Sequence, residues 1–170
     1  GGSGKVAITQ GVLTAAASVY QMQGIDNVLS KHPEIQLVSN QAADWDATKA
    51  KNIAATVIQQ HPDLCAITGF WDVMDVGTAA AIKESGKDVY LLTQGGGNKM
   101  ACDGLNNGTY SEVVVYFVPG QARDMATMIK QMLQLKQAPG TTKTTLFTPL
   151  TFLTKENMTP SSCWSLPGQN

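Results

Sequence analysis

A chain of 170 residues, 43% hydrophobic and 15% charged, is long enough to bury one domain core, which excludes an intrinsically disordered segment. Its formal net charge of −1, with both signs scattered along the chain, leaves no basic stripe for a phosphate backbone, so nucleic acid is not an expected partner. No apolar run approaches the roughly 20 residues that span a bilayer, and the first ten residues lack the regions of a signal peptide, so the segment reads as soluble and mature.

In chain order, the hydrophobic pattern alternates between short β-like runs and longer stretches of helical period, the signature of a wound α/β lobe with a mostly parallel sheet. Lys5 to Thr9 is the first expected strand. Ala15 to Leu29 follows as a helix with Val19, Met22, Ile25, Val28 and Leu29 on one face. A second strand covers Ile35 to Val38, and a second helix, with Asp44 as its natural N-cap, covers Asp44 to Gln60. Leu64 to Thr68 is the third strand, with Cys65 read as a buried small hydrophobe inside it. Val73 to Ser85 makes a third helix whose inner face is Val76, Ala79, Ala80 and Ile82, stopped by Gly86.

Val89 to Leu92 is the fourth strand, Asn98 to Leu105 a short helix, and Glu112 to Val118 a fifth strand apolar enough to be buried. Past Pro119 the alternation breaks. Gln121 to Leu135 reads as an amphipathic helix with Met125, Met128, Ile129, Met132 and Leu133 on a stripe, followed by a loop over Gln137 to Thr142. Thr144 to Thr154, interrupted by Pro149, reads as an edge or crossing strand. Pro160 to Asn170 is a polar tail with one aromatic, Trp164.

Ligands of open parallel sheets bind beyond the carboxyl ends of the strands, which directs attention to Gln10 to Thr14, Asn40 to Asp46, Gly69 to Asp72 and Gln94 to Asn98. These loops hold aromatic rings, amides, glycines and aspartates, but no histidine, cysteine, lysine or arginine. A nucleophile with its base, or a general acid poised near neutrality, is therefore not in view, and the chain is not expected to be an enzyme. The three cysteines show no CxxC or Cys/His spacing, and His32 and His61 precede prolines at expected helix ends, so neither a metal nor another cofactor is called for. Cys102 and Cys163 lie in polar stretches and either pair as a disulfide or stay as two thiols. The Gly95, Gly96, Gly97 run matches no phosphate-loop spacing and reads as a tight turn, and Asp72 and Asp75 read as carboxylates opposing a helix macrodipole. Trp45 is on neither an apolar run nor a helical stripe. With Trp71, preceded by Phe70, and with Phe117 at the end of strand five, it would place three rings at one crevice, where Gln10, Gln21 and Gln94 could meet hydroxyls.

At this point the residues point to a family. Through GGSGKVAITQG, GIDNVL, NQAADWDATKA, HPDLCAITGFWDVMDVGTAAAIKESGK, DVYLLTQGG, LNNGTYSEVVVYFVPGQ and TPLTFLTKEN, the chain resembles the carboxy-terminal lobe of a type I periplasmic solute-binding protein. That group includes the ribose- and galactose-binding proteins of sugar ABC transporters. The resemblance implies a Rossmann-like three-layer lobe, one of two in the full fold. Residues 1–118 would be the ligand-binding lobe, 119–154 a crossing helix and strand packed on an amino-terminal lobe missing from this segment, and 155–170 a tail returning to this lobe. It also implies that Trp45, in the ADWD-like motif, stacks on a sugar ring.

Other positions depart from the family pattern. Gln21 stands where the family has an arginine, Trp71 for an asparagine, Gly95 for an aspartate and Phe117 for a polar residue, and Leu13 lies in the first strand-end loop. A lost charge-assisted hydrogen bond weakens binding by about 1.5–3 kcal/mol. The expected ligand is therefore a sugar, a polyol or another small neutral molecule that is less hydroxylated or more apolar than a free hexose, or one anchored mainly by the other lobe. The expected function is solute binding in the periplasm, or secreted and membrane-associated, for an ABC permease, with the ligand buried by closure of two lobes. The alternative is the effector-binding core of a LacI-type repressor, and a third reading is a nucleotide-using Rossmann-like enzyme. The unpartnered methionine stripe predicts self-association of the segment, as a homodimer or by exchange between copies.

Overall fold

Runs of β-branched and apolar residues become strands, and the stretches of helical period between them become helices. A computed structural model describes residues 2–141 and 143–166; residue 1, residue 142 in the expected loop and residues 167–170 of the expected tail lie outside it. The order is β1 (Gly4–Gln10), α1 (Ala16–Leu29), β2 (Ile35–Ala42), α2 (Ala47–Gln60), β3 (Leu64–Gly69), α3 (Asp72–Ser85), β4 (Tyr90–Gly95), α4 (Lys99–Asn106), β5 (Glu112–Val115), α5 (Val118–Gln134) and β6 (Thr151–Leu153). The strands form one sheet in the order β2-β1-β3-β4-β5-β6. Its first five strands are parallel, and β6 runs antiparallel to β5.

The two faces of the sheet differ. On one, Ala54, Val57 and Ile58 of α2, Ala81 of α3 and Leu105 of α4 close over Ile67, Leu91, Val113 and Val115 in the main core. On the other, α1 is the covering helix, and Met22 and Ile25 reach Ile8 and Phe70. The β4–β6 half of that face stays open as a groove of about 780 Å³ whose walls include Ile25 and Val28 of α1, Leu92, Val114 and Phe152.

Several expectations need correction. The proposed inner face of α1 is only partly inward: Val19 and Val28 are exposed, because α1 covers the sheet alone. The N-cap of α2 is Asp46, whose side chain accepts from the Lys49 amide at 2.8 Å, since the chain is still turning at Asp44. Cys65 is exposed; the β1–β3 register jumps from Leu64 to Ala66 and leaves it the extra residue of a bulge. The buried face of α3 is Met74, Asp75, Thr78 and Ala81, while Val76 is exposed. Strand β5 stops at Val115, and α5 begins three residues later with Pro119 in its first turn, where its missing N–H breaks no helix bond. Of the two readings of the Thr144–Thr154 stretch, the edge strand is the one formed: β6, Thr151–Leu153, pairs with Val113–Val115 at the sheet edge, with Pro149 preceding the ladder.

A candidate ligand-binding shelf at the strand ends

The C-terminal ends of the parallel strands meet along one edge. After β2, the Ala43 amide donates to the Gln10 carbonyl at 2.8 Å, tying the end of β2 to that of β1. Asp44 and Trp45 then both take positive φ, 53° and 63°, a conformation open to short polar residues and uncommon for a bulky one. The result turns the indole back over the strand ends. A Cβ built on Gly11 would overlap the ring, so glycine at the end of β1 is what seats Trp45. The Asp44 carboxylate, meanwhile, pairs with Lys49 at 2.8 Å in solvent, and its hydrogen bond, with its charge, raises the Lys49 pKa.

Trp71 is the N-cap of α3 in extended backbone, and its ring meets that of Trp45 edge to face, with centroids 6.3 Å apart and planes at 84°, a favoured aromatic geometry. Both indoles are half-buried on the small cluster of Ile8, Ala43, Ala50, Phe70 and Met74. They thus have one side in the core and one toward solvent.

Other expected site residues fall elsewhere. Phe117 is exposed with φ 40° as the residue before α5 and lies against Gly120 rather than in the indole cluster. Leu13 is exposed in the β1–α1 turn. Gln21 and Gln94 do come together, Gln94 Nε2 donating to Gln21 Oε1 at 2.6 Å, and both line the open groove. Gln10 is buried and donates to Asn40 at 2.5 Å.

The turn after β4 is held from outside the sheet. Cys102 and Cys163 form a disulfide, and the neighbouring Trp164 donates its indole N–H to the Gly96 carbonyl and its amide N–H to the Gly97 carbonyl, both at 2.9 Å. Gly97 has φ 76°, which glycine adopts without strain. Gly11 and Trp164 were not singled out from the sequence as parts of the site. The glycine ending the TQG run and the cysteine beside a tail tryptophan were the available signals for them.

Beneath the shelf, Asp75 is fully buried and accepts from Thr93 at 2.5 Å and Thr78 at 3.2 Å. Burial outweighs these hydrogen bonds and pushes its carboxyl up to about 7. Asp72 is also buried, and desolvation raises its pKa too. Among the described residues no group of three or more His, Cys, Asp or Glu is placed to hold a metal ion. The surface offers two rings, hydrogen-bonding amides and a rigid glycine turn, a set suited to recognising a small molecule.

Residues 1–137 match the family model described as a periplasmic binding protein domain. The chain belongs to the periplasmic binding protein family. Two curated relatives are the D-allose-binding periplasmic protein of Escherichia coli and the ribose import binding protein of Bacillus subtilis. The first is 36% identical over 92 residues, 54% of this chain and 30% of the relative. The second is 34% identical over 114 residues, 67% of this chain and 36% of the relative. Among solved structures, the periplasmic solute-binding protein of an ABC transporter from Actinobacillus succinogenes, with bound D-allose, superposes with a TM-score of 0.79 at 20% identity, over 92% of this chain and 54% of that one. A solute-binding protein from Agrobacterium vitis, bound with alpha-D-tagatopyranose, gives 0.79 at 20%, over 95% and 53%. This periplasmic-binding-protein lobe therefore spans about half the length of the solved proteins and about a third of the curated ones. It has the type I fold, in which the shelf of Trp45 and Trp71 lies along one edge of a single lobe.

Proposed function

We propose that this chain forms one wall of a binding site for a small neutral ligand, a sugar or polyol, in the solute-binding component of an ABC importer. The edge-to-face pair of Trp45 and Trp71 at the strand ends carries this reading. A flat indole presents its face to the C–H side of a sugar ring, and the amides of Gln21 and Gln94, paired with each other in the groove beside α1, keep a donor and an acceptor for hydroxyls. Relatives named for allose, ribose and xylitol binding support the ligand class.

In this reading the chain acts by binding, without chemistry of its own. Residues 1–118 together with β6 make the ligand wall, α5 leads to a second lobe, and closure of the two lobes over the ligand creates the form a membrane permease recognises. The Cys102–Cys163 disulfide fits an oxidising compartment such as the periplasm. Tryptophan fluorescence of the chain, titrated with D-ribose, D-allose and xylitol, tests the reading. At least one probe is expected to shift the emission saturably, and Trp45→Ala to remove most of that response; emission indifferent to all three would count against it.

A further inference from the structure

The link between β5 and α5 is held in a strained conformation. Phe117 takes φ 40°, left-handed backbone that a side chain of this size rarely adopts and that persists only where neighbouring contacts fix it. The core does not supply that fixing, because the Phe117 ring is 39% exposed and lies against Gly120.

The chain on either side does. The Tyr116 amide donates to the Gly95 carbonyl at 3.1 Å and the Val118 amide to the Gly96 carbonyl at 3.2 Å. Both anchors lie in the glycine turn after β4, and that turn is itself held from the tail. The Gly96 carbonyl is shared: it also accepts from the Trp164 indole N–H at 2.9 Å, while the Trp164 amide donates to the Gly97 carbonyl. The approach is close enough that a Cβ on Gly96 would overlap Val118. Trp164 directly follows Cys163, whose bond to Cys102 of α4 keeps it over the turn. A continuous run of contacts thus joins the disulfide, through Trp164 and Gly96, to the residue after Phe117.

We propose that Trp164 is a positioning residue for the exit of α5. Latched by Cys102–Cys163, its indole holds the Gly96 carbonyl where the Val118 amide meets it, which keeps Phe117 left-handed and α5 in its direction. Without that latch Phe117 relaxes to negative φ, and α5 leaves the lobe at another angle. The consequence for binding rests on the reading above, in which α5 leads to a second lobe, so that the latch sets the angle from which the lobes close. The joint itself needs no ligand and is tested without one, which separates its failure from that of the binding reading.

The test is NMR of the 170-residue chain in three forms: oxidised, reduced by a dithiol, and as Trp164→Phe. The dithiol turns the Cys102–Cys163 bond into two thiols and is itself oxidised to a disulfide. Trp164→Phe keeps the main-chain bond to Gly97 and removes only the indole donor. The cross-peak between the Phe117 amide proton and its own Hα is strong at positive φ, where the two protons lie close, and is expected to weaken in both altered forms. Exchange of the Val118 amide is expected to quicken about two- to ten-fold, with the amides of Ile8 and Ile67 in the central strands unchanged. Both Phe117 and Val118 signals unmoved in both forms would overturn the proposal. A change on reduction alone would overturn the role of the indole, and a change in Trp164→Phe alone would overturn the disulfide as its latch. If Ile8 and Ile67 exchange faster in the variant as well, the lobe has lost its fold, and the reduced unsubstituted chain decides by the same two signals.

Discussion

Trp45 owes its place to two neighbours with no side-chain chemistry in common: Asp44, which accepts a left-handed backbone, and Gly11, whose bare Cα receives the ring. Below it, Asp75 shows how burial redirects a residue that looks ordinary in the sequence. In the folded chain its carboxyl keeps a proton up to about pH 7, whereas the unfolded chain releases it near 3.8, the ordinary value. The folded state thus binds more protons between those values, so this contribution to stability is complete below the lower one and is lost as pH climbs through the upper. Thermal midpoints measured from about pH 4 to 7 should fall for this reason, and Asp75→Asn should flatten the fall; an unchanged slope in the variant would remove Asp75 as its source. Asp72, also shifted upward by burial, contributes in the same direction and should leave a residual slope.

Among the elements, α3 is where hydrophobic pattern and tertiary position part most clearly. Its apolar positions Val76, Ala79, Ala80 and Ile82 suggest one inner face; Ala79 and Ile82 do pack against the core, yet Val76 is exposed and the helix buries Asp75 and Thr78 more deeply. The hydroxyls of Thr93 on β4 and Thr78 on α3 itself solvate the carboxyl there, an arrangement across two elements that no single segment reveals. Pro119 misleads in the opposite sense, since it reads as a break but sits in the first turn of α5, where proline is at ease. Cys65 looks buried in an apolar run until the register slip at the foot of β3 turns it out. The tail is an element only through its staple: the Cys102–Cys163 bond joins residues 61 apart and holds Trp164 on the glycine turn. Replacing both cysteines by serine should lower unfolding free energy by about 2–4 kcal/mol, read by denaturant titration with and without reductant. An equal midpoint in both would show that the tail holds by its hydrogen bonds alone.

At the scale of the molecule, two apolar surfaces lie open on the same chain. Met125, Ile129 and Leu133 on α5 are 62%, 52% and 72% exposed, while Met128 and Met132 are half-buried beside the loop that follows. The groove beside α1 is the other. Surfaces of this kind associate, so the 170-residue chain should sediment as dimers or larger species as concentration rises, and Ile129→Lys should return it toward monomer. Compact monomer throughout, at high concentration, would refute this. The α/β alternation, the order of all eleven elements, the strand-end position of Trp45 and Trp71 and the family itself were legible in the sequence, because periodicity, turn residues and local motifs are properties of adjacent residues. Which face of α3 is buried, that β6 closes this sheet, that Phe117 leaves the indole pair and that Asp72 comes to stand under Gly95 were decided only by the tertiary structure. Each depends on what a distant segment leaves room for: a glycine on another strand, a threonine across the sheet, or a ladder edge waiting for a partner.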